Sequence, residues 1–188
     1  MNREQAYHLL IEFTSSDSLI KHALAVEASM RHYAVLFHED EELWGTVGLI
    51  HDFDYERWPN PPEHTRTGAK ILRERNVNET IIGAMLSHAE WNLEEYPRDT
   101  FLRKSLFAVD ELAGFIMAVA YVRPERLKGM APSSVKKKLK QKAFAAAVNR
   151  DDIERGAQLI SLPLDEHIQN VITALQPISE SLGFGAAG

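Results

Sequence analysis

Apolar residues recur at spacings of three and four along nearly every segment of this chain, which favours helices throughout. Between Ser18 and Phe37 they are Leu19, Ala23, Val26, Met30, Ala34 and Phe37, a stripe that a turn of ~3.6 residues lines up on one face. Residues 3 to 13 do the same with Ala6, Leu9, Leu10 and Phe13. Between them, Thr14-Ser15-Ser16-Asp17 reads as a break rich in N-cap residues. The acidic turn His38 to Glu42 opens a third helix, where carboxylates suit the helix dipole; it carries Leu43, Trp44, Val47, Leu49 and Ile50 up to His51. Trp58-Pro59-Asn60-Pro61-Pro62 must be loop. A fourth helix is expected from Pro62-Glu63-His64 to Arg75, with His64 in its first turn and Ala69, Ile71 and Leu72 inward. A fifth runs from Asn78-Glu79 to His88, and residues 90 to 98 form a polar loop. A long sixth helix covers 99 to 122 and stops before Pro124. The rest predicts a helix capped by Ser133 or Ser134 and running through Phe144, then one over 151 to 161. The last spans Leu164 to Leu182, with Gly183 at its C′ position. No segment alternates as a strand would, so the expected class is all-α.

Charge and composition remove several functions. The net charge of −6 argues against general nucleic-acid binding, so an anionic substrate needs a local positive site. There is no cysteine, hence no disulfide and no thiolate metal site. No run reaches the ~18 apolar residues of a membrane span, and the first residues carry no signal-peptide pattern. A soluble cytoplasmic protein without membrane partners is expected. With 188 residues the chain suits one domain with an appendage, and the sequence admits a homodimer.

The candidate chemistry lies in six residues: His22, His51, Asp52, His64, His88 and Asp110. The apolar run Leu43 to Ile50 ends in the adjacent pair His51-Asp52. The other four lie on separate apolar-periodic segments. Each has a bland alternative: a boundary histidine, a helix-end histidine, a buried carboxylate paired to arginine. Asp110 is the hardest to explain that way. It sits mid-helix between Val109 and Leu112, where an unpaired carboxylate is costly. Imidazoles and carboxylates together are the donor set of Zn, Mn, Fe, Co and Ni sites, and such donors on several helices converge in a bundle core.

The order His22, then His51-Asp52, then Asp110 resembles the metal motif of the HD-domain superfamily. The chain as a whole looks like a group of small bacterial HD hydrolases. The HDIG variant of the motif is not met, because Phe53-Asp54 follow the pair. The resemblance implies an all-helical HD bundle over residues 18–123. An N-terminal helix (1–17) precedes it, and a C-terminal helical extension (124–188) packs on it. It implies that His22, His51, Asp52 and Asp110 bind one divalent metal (Mn, Fe, Co, Ni, Zn or Mg). His64 and His88 match the extra histidines of two-metal members, in which the aspartate of the pair bridges. The implied activity is hydrolysis of a small phosphate ester, a nucleotide or other phosphorylated metabolite, by metal-activated water attacking phosphorus. Asp54 or Glu111, each near a ligand in sequence, would position that water or protonate the leaving group. Two other readings fit the same residues: a mixed-valent diiron oxygenase, and a non-enzymatic metal-stabilised regulator that binds a nucleotide or a protein.

Basic and aromatic residues supply candidates for a substrate grip. Arg66 and Lys70 follow His64. Arg123 lies just past the Asp110 helix. Lys136 to Lys142 hold five lysines in seven residues, with Lys138 and Lys142 expected one turn apart on one helix face and Arg150 further on. A solvated helix face explains the lysines equally well. Trp58 and Trp91, in loops that follow ligand pairs, are candidates to wall a pocket or to pack beneath the loops.

Overall fold

The computed structural model describes residues 1–185, and these are all-helical, with no strand among them. Helix α1 (Arg3–Phe13) opens with a reciprocal capping box between Asn2 and Gln5. Helix α2 (Asp17–Phe37) buries Ala23, Val26, Met30 and Ala34, the expected stripe, and closes on His38 in the left-handed region. Helix α3 (Glu41–Ile50) is capped by the Asp40 side chain. It lies so close to α2 that a Cβ on Gly48 would sit 2.9 Å from the Val26 carbonyl oxygen. Glycine is what lets the two backbones approach there, which draws His22 of α2 and His51 at the end of α3 together.

Helices α4 (Glu63–Glu74) and α5 (Glu79–Ser87) pack on one another. The long α6 (Phe101–Tyr121) is the spine: it buries thirteen residues along its length and packs against α2, α3 and α5. Behind it lie α7 (Pro132–Leu139), α8 (Arg150–Leu159) and α9 (Leu164–Leu175). Helix α8 touches α6 at a second close approach, where a Cβ on Gly156 would lie 2.6 Å from Ala108 Cα. One connected apolar core runs from Ala6 to Phe184. No helix among the described residues is long and apolar enough to cross a membrane.

Three expectations are corrected. His64 is not in a first helical turn: it is extended (ψ 137°) and Thr65 is left-handed (φ 67°), so regular helix begins after them. The cause is tertiary. The Asp54 carboxylate accepts hydrogen bonds from the backbone N–H groups of Thr65 (2.9 Å) and Gly68 (2.8 Å), capping the helix from across the preceding loop instead of through a local N-cap. Helix α7 is capped at Ala131 with Pro132 at its start, not at Ser133 or Ser134, and it ends at Leu139. Beyond it, the Arg150 guanidinium donates to the carbonyls of Leu139, Gln141, Phe144, Ala145 and Val148, coiling the segment into turns. Lys142 therefore stands off the helix, and the expected shared face with Lys138 does not form. Helix α9 stops at Leu175, since Pro177 has no N–H for the ladder. Gly183 still ends the following turns (φ 81°): Phe184 N–H bonds Ser179 O and Gly183 N–H bonds Glu180 O, a Schellman closure.

Candidate metal centre

Six side chains from five segments meet between α2, α3, α5 and α6. His22 faces inward from the second turn of α2, and its Nε2 lies 3.0 Å from Asp110 Oδ1, which projects from the middle of α6. His51 Nε2 is 3.4 Å from the same oxygen and 3.6 Å from Asp52 Oδ2. The other Asp52 oxygen, Oδ1, lies 3.2 Å from His64 Nε2 and 3.1 Å from His88 Nε2. The donors thus form two triads that share one carboxylate, His22-His51-Asp52 and Asp52-His64-His88, each with its ligand atoms within 4.8 Å of one another. Asp110 closes the first from the side. His51 is fully buried, while His22, Asp52 and Asp110 each keep a fifth to a quarter of their side chains exposed. The cluster opens to solvent on that edge.

The far ring nitrogens decide what the near ones can do. His51 Nδ1 is 2.8 Å from Gly48 O and His88 Nδ1 is 2.6 Å from Met85 O. A carbonyl only accepts, so both Nδ1 atoms carry hydrogen. His64 Nδ1 is held the same way, 3.0 Å from Asp54 Oδ1. Each Nε2 is left with a lone pair aimed at a carboxylate oxygen, an arrangement that only a cation makes favourable: a proton, or a metal ion. Two buried atoms at the centre, His51 Nε2 and Asp52 Oδ1, have no hydrogen-bond partner at all. A divalent ion would satisfy both, and the donor set fits one.

The electrostatics agree. Burial would lower His51, but the Asp52 and Asp110 charges outweigh it and push it up to about 9. His64 is likewise pushed up to about 9, burial being overcome by Asp52 and Asp54. Burial works to raise Asp52, yet His51, His64 and His88 hold it well below the usual carboxylate range. Asp110 is depressed in the same way by His51 and His22. Glu111 moves the other way, to about 7, through burial and then the charge of Asp110.

The expected second-rank residues fall into different places. Asp54 is fully buried and its carboxylate is taken up by His64 and by the Thr65 and Gly68 N–H groups. Both of its oxygens are engaged, and through Oδ1 it orients the His64 ring. Glu111 lies beside the cluster and accepts from Asn149 N–H at 3.3 Å. Arg66 is bound to Asn92 (3.0 Å) and Glu95 (2.8 Å), and Lys70 is exposed on α4. Arg123 donates to the Arg126 and Lys128 carbonyls and to Ser134 Oγ, so it pins a turn. Lys138 bonds Gln141 and sits 4.7 Å over the Phe144 ring. With Arg150 spent on carbonyls and Lys142 off the helix, the expected basic grip is not assembled.

Other contributors carry little signal in the sequence. Asn92 Nδ2 bonds both Thr65 Oγ1 (2.8 Å) and Leu86 O (3.0 Å), tying the His64 and His88 backbones together. Tyr55 and Trp91, about 39% and 40% exposed, meet the His64 ring at 5.2 and 5.9 Å. Trp58 instead packs 6.2 Å from Phe13. On the opposite side of α6, His167 is buried between the Tyr33 hydroxyl (2.6 Å) and Ala108 O (2.9 Å).

Residues 19–141 match the HD domain family model. That is well over half of the chain, and the chain therefore belongs to the HD-domain family, whose members are typically metal-dependent hydrolases. No solved structure matches the chain.

Proposed function

We propose that this chain is a metal-dependent phosphohydrolase whose two divalent ions are bridged by Asp52, and that its substrate is a small phosphate ester. The observation that carries the reading is the shared carboxylate: the two Asp52 oxygens face different histidine sets, with the Nε2 lone pairs of His51, His64 and His88 turned inward by fixed Nδ1–H groups. In this reading His22, His51, Asp52 and Asp110 hold one ion, and Asp52, His64 and His88 hold the other. Bound there, such ions would lower the pKa of water and offset the charge of a phosphate. Two dications against Asp52 and Asp110 leave about +2, enough to draw in an anion without a basic grip. Glu111, which follows Asp110 on α6 and lies beside the cluster, is the neighbouring carboxyl that would carry a proton to the leaving oxygen. The exposed edge of His22, Asp52 and Asp110 admits the ester, and Tyr55 and Trp91 border the His64 side.

The test is phosphate release from nucleotides, cyclic nucleotides and sugar phosphates by protein loaded in turn with Mn, Co, Ni, Zn, Mg and Fe. The expected result is release that a chelator stops and that Asp52→Ala lacks. Iron-dependent oxygen consumption without phosphate release would replace the proposal with an oxygenase.

A further inference from the structure

Helix α5 ends at the buried Ser87, where the chain hands over to His88. Such an end leaves carbonyls without intrahelical partners. Three are satisfied by side chains from the following loop: Leu86 O by Asn92, and Ser87 O and His88 O by one guanidinium, that of Arg98, at 3.0 and 2.7 Å. The same guanidinium donates to Glu90 Oε1 at 2.8 Å, and its carbon lies 3.6 Å over the Phe107 ring. Only 5% of the Arg98 side chain is exposed. Each of its three nitrogens donates into the segment that carries His88, to Ser87 O, His88 O and Glu90 Oε1.

Phe107 gives the arrangement its reach. It stands three residues before Asp110 on α6, on the same side of the helix. Arg98 therefore spans from the backbone of one candidate ligand to the helix that carries another. The His88 ring is oriented by a single bond to Met85 O, and the residue, the C-cap of α5 with helical angles, leads into a short 3₁₀ segment, Glu90–Asn92.

We propose that Arg98 is the positioning residue of the second metal position: it fixes the His88 carbonyl, and through it the imidazole, against the Asp110 helix. The inference rests on the two-ion reading above. A planar fork is suited to holding two adjacent carbonyls and a carboxylate at once while stacking on an aromatic ring. A lysine ammonium would keep the charge but reach fewer of these partners.

The test is manganese binding by equilibrium dialysis on wild type, Arg98→Gln, Arg98→Lys and Arg155→Gln. Arg155 is the control cation: it lies 3.4 Å from the same Glu90 oxygen and 5.4 Å from the same ring, with no bond to the His88 backbone. In Arg98→Gln the second equivalent should weaken about 10- to 100-fold, the range for residues that orient a ligand, while the first stays at its wild-type affinity. Arg98→Lys should recover part of the loss, and Arg155→Gln should match wild type. Equal affinity of the second equivalent in wild type and both Arg98 variants overturns the proposal. So does an equal weakening of both equivalents, which marks a general structural loss. Wild type saturating at one equivalent fails the two-ion reading itself, a result distinct from either.

Discussion

The two halves of the site are built on different kinds of backbone. His22 and Asp110 project from the interiors of α2 and α6, and His51 continues α3 with helical angles. Their positions follow from buried stripes that pack the three helices together. His64 lies on an extended residue followed by a left-handed threonine; His88 caps α5 at helical angles as His51 caps α3, but is followed by a short 3₁₀ turn held by side chains from the next loop. What helices do for the first half, individual side chains do for the second: Asp54 and Asn92 at the His64 hinge, Arg98 and Asn92 at the His88 turn. A β-branched residue at positive φ is costly, of order 1–3 kcal/mol, and persists when its surroundings over-determine it. Here the Thr65 N–H and Oγ1 both have partners that serve the site. The difference teaches that the first half is set by the core and the second by a local polar network. The second half should then be the one that can be lost alone.

The largest effect is expected where the halves meet. Asp52→Ala removes the carboxylate common to both triads, so metal content should fall from about two per chain to below about one, with loss of activity. Elemental analysis of the purified variant checks this, and wild-type metal content would break the account of a shared ligand.

A matched pair of variants tests the asymmetry. His64→Ala should release one ion and leave the other at wild-type affinity, with an unchanged fold by circular dichroism. Asp110→Asn should weaken the first ion, and because bound metal stabilises the folded state by mass action, a chelator should lower its melting temperature less than that of wild type. If His64→Ala empties both positions, the halves are not separable.

A smaller effect concerns the frame behind α6. His167, in contact with Ala108 O, is pushed down to about 4 by burial. Its folded state favours the neutral ring, so its contribution is intact above the unfolded value of ~6.5 and is lost as pH falls through about 4. The loss across that window is about 3 kcal/mol. His167→Gln should flatten the acid limb of the stability profile measured by denaturant titration between pH 7 and 4. An identical pH dependence in the variant would return the acid sensitivity to the carboxylates of the metal centre.

The same contrast explains what the sequence made legible. Helix-borne residues announce themselves by period: the α2 stripe, the apolar run before His51 and the carboxylate inside apolar α6 led directly to His22, His51 and Asp110. The HD-type order of these residues added the fold, which the helical architecture and the family match bear out. The His64 hinge is not legible in the sequence because its cap, Asp54, comes from across a loop, and local capping rules see only neighbours. Arg150 looks like an anion grip in the sequence because nothing in its position shows that five carbonyls surround it. Arg98 gave no signal for the same reason: its partners are backbone atoms, which every sequence contains.

In the proposed reading Asp52 would be shared by two ions, each held by one of the two histidine sets. Electron paramagnetic resonance of the metal-free protein titrated with manganese(II) tests it most directly. The first equivalent should give the spectrum of an isolated ion. The second should convert it to that of a magnetically coupled pair, as for ions ~3.5–4 Å apart on one carboxylate. A second equivalent that leaves two uncoupled ions, or binding that ends at one, would contradict it.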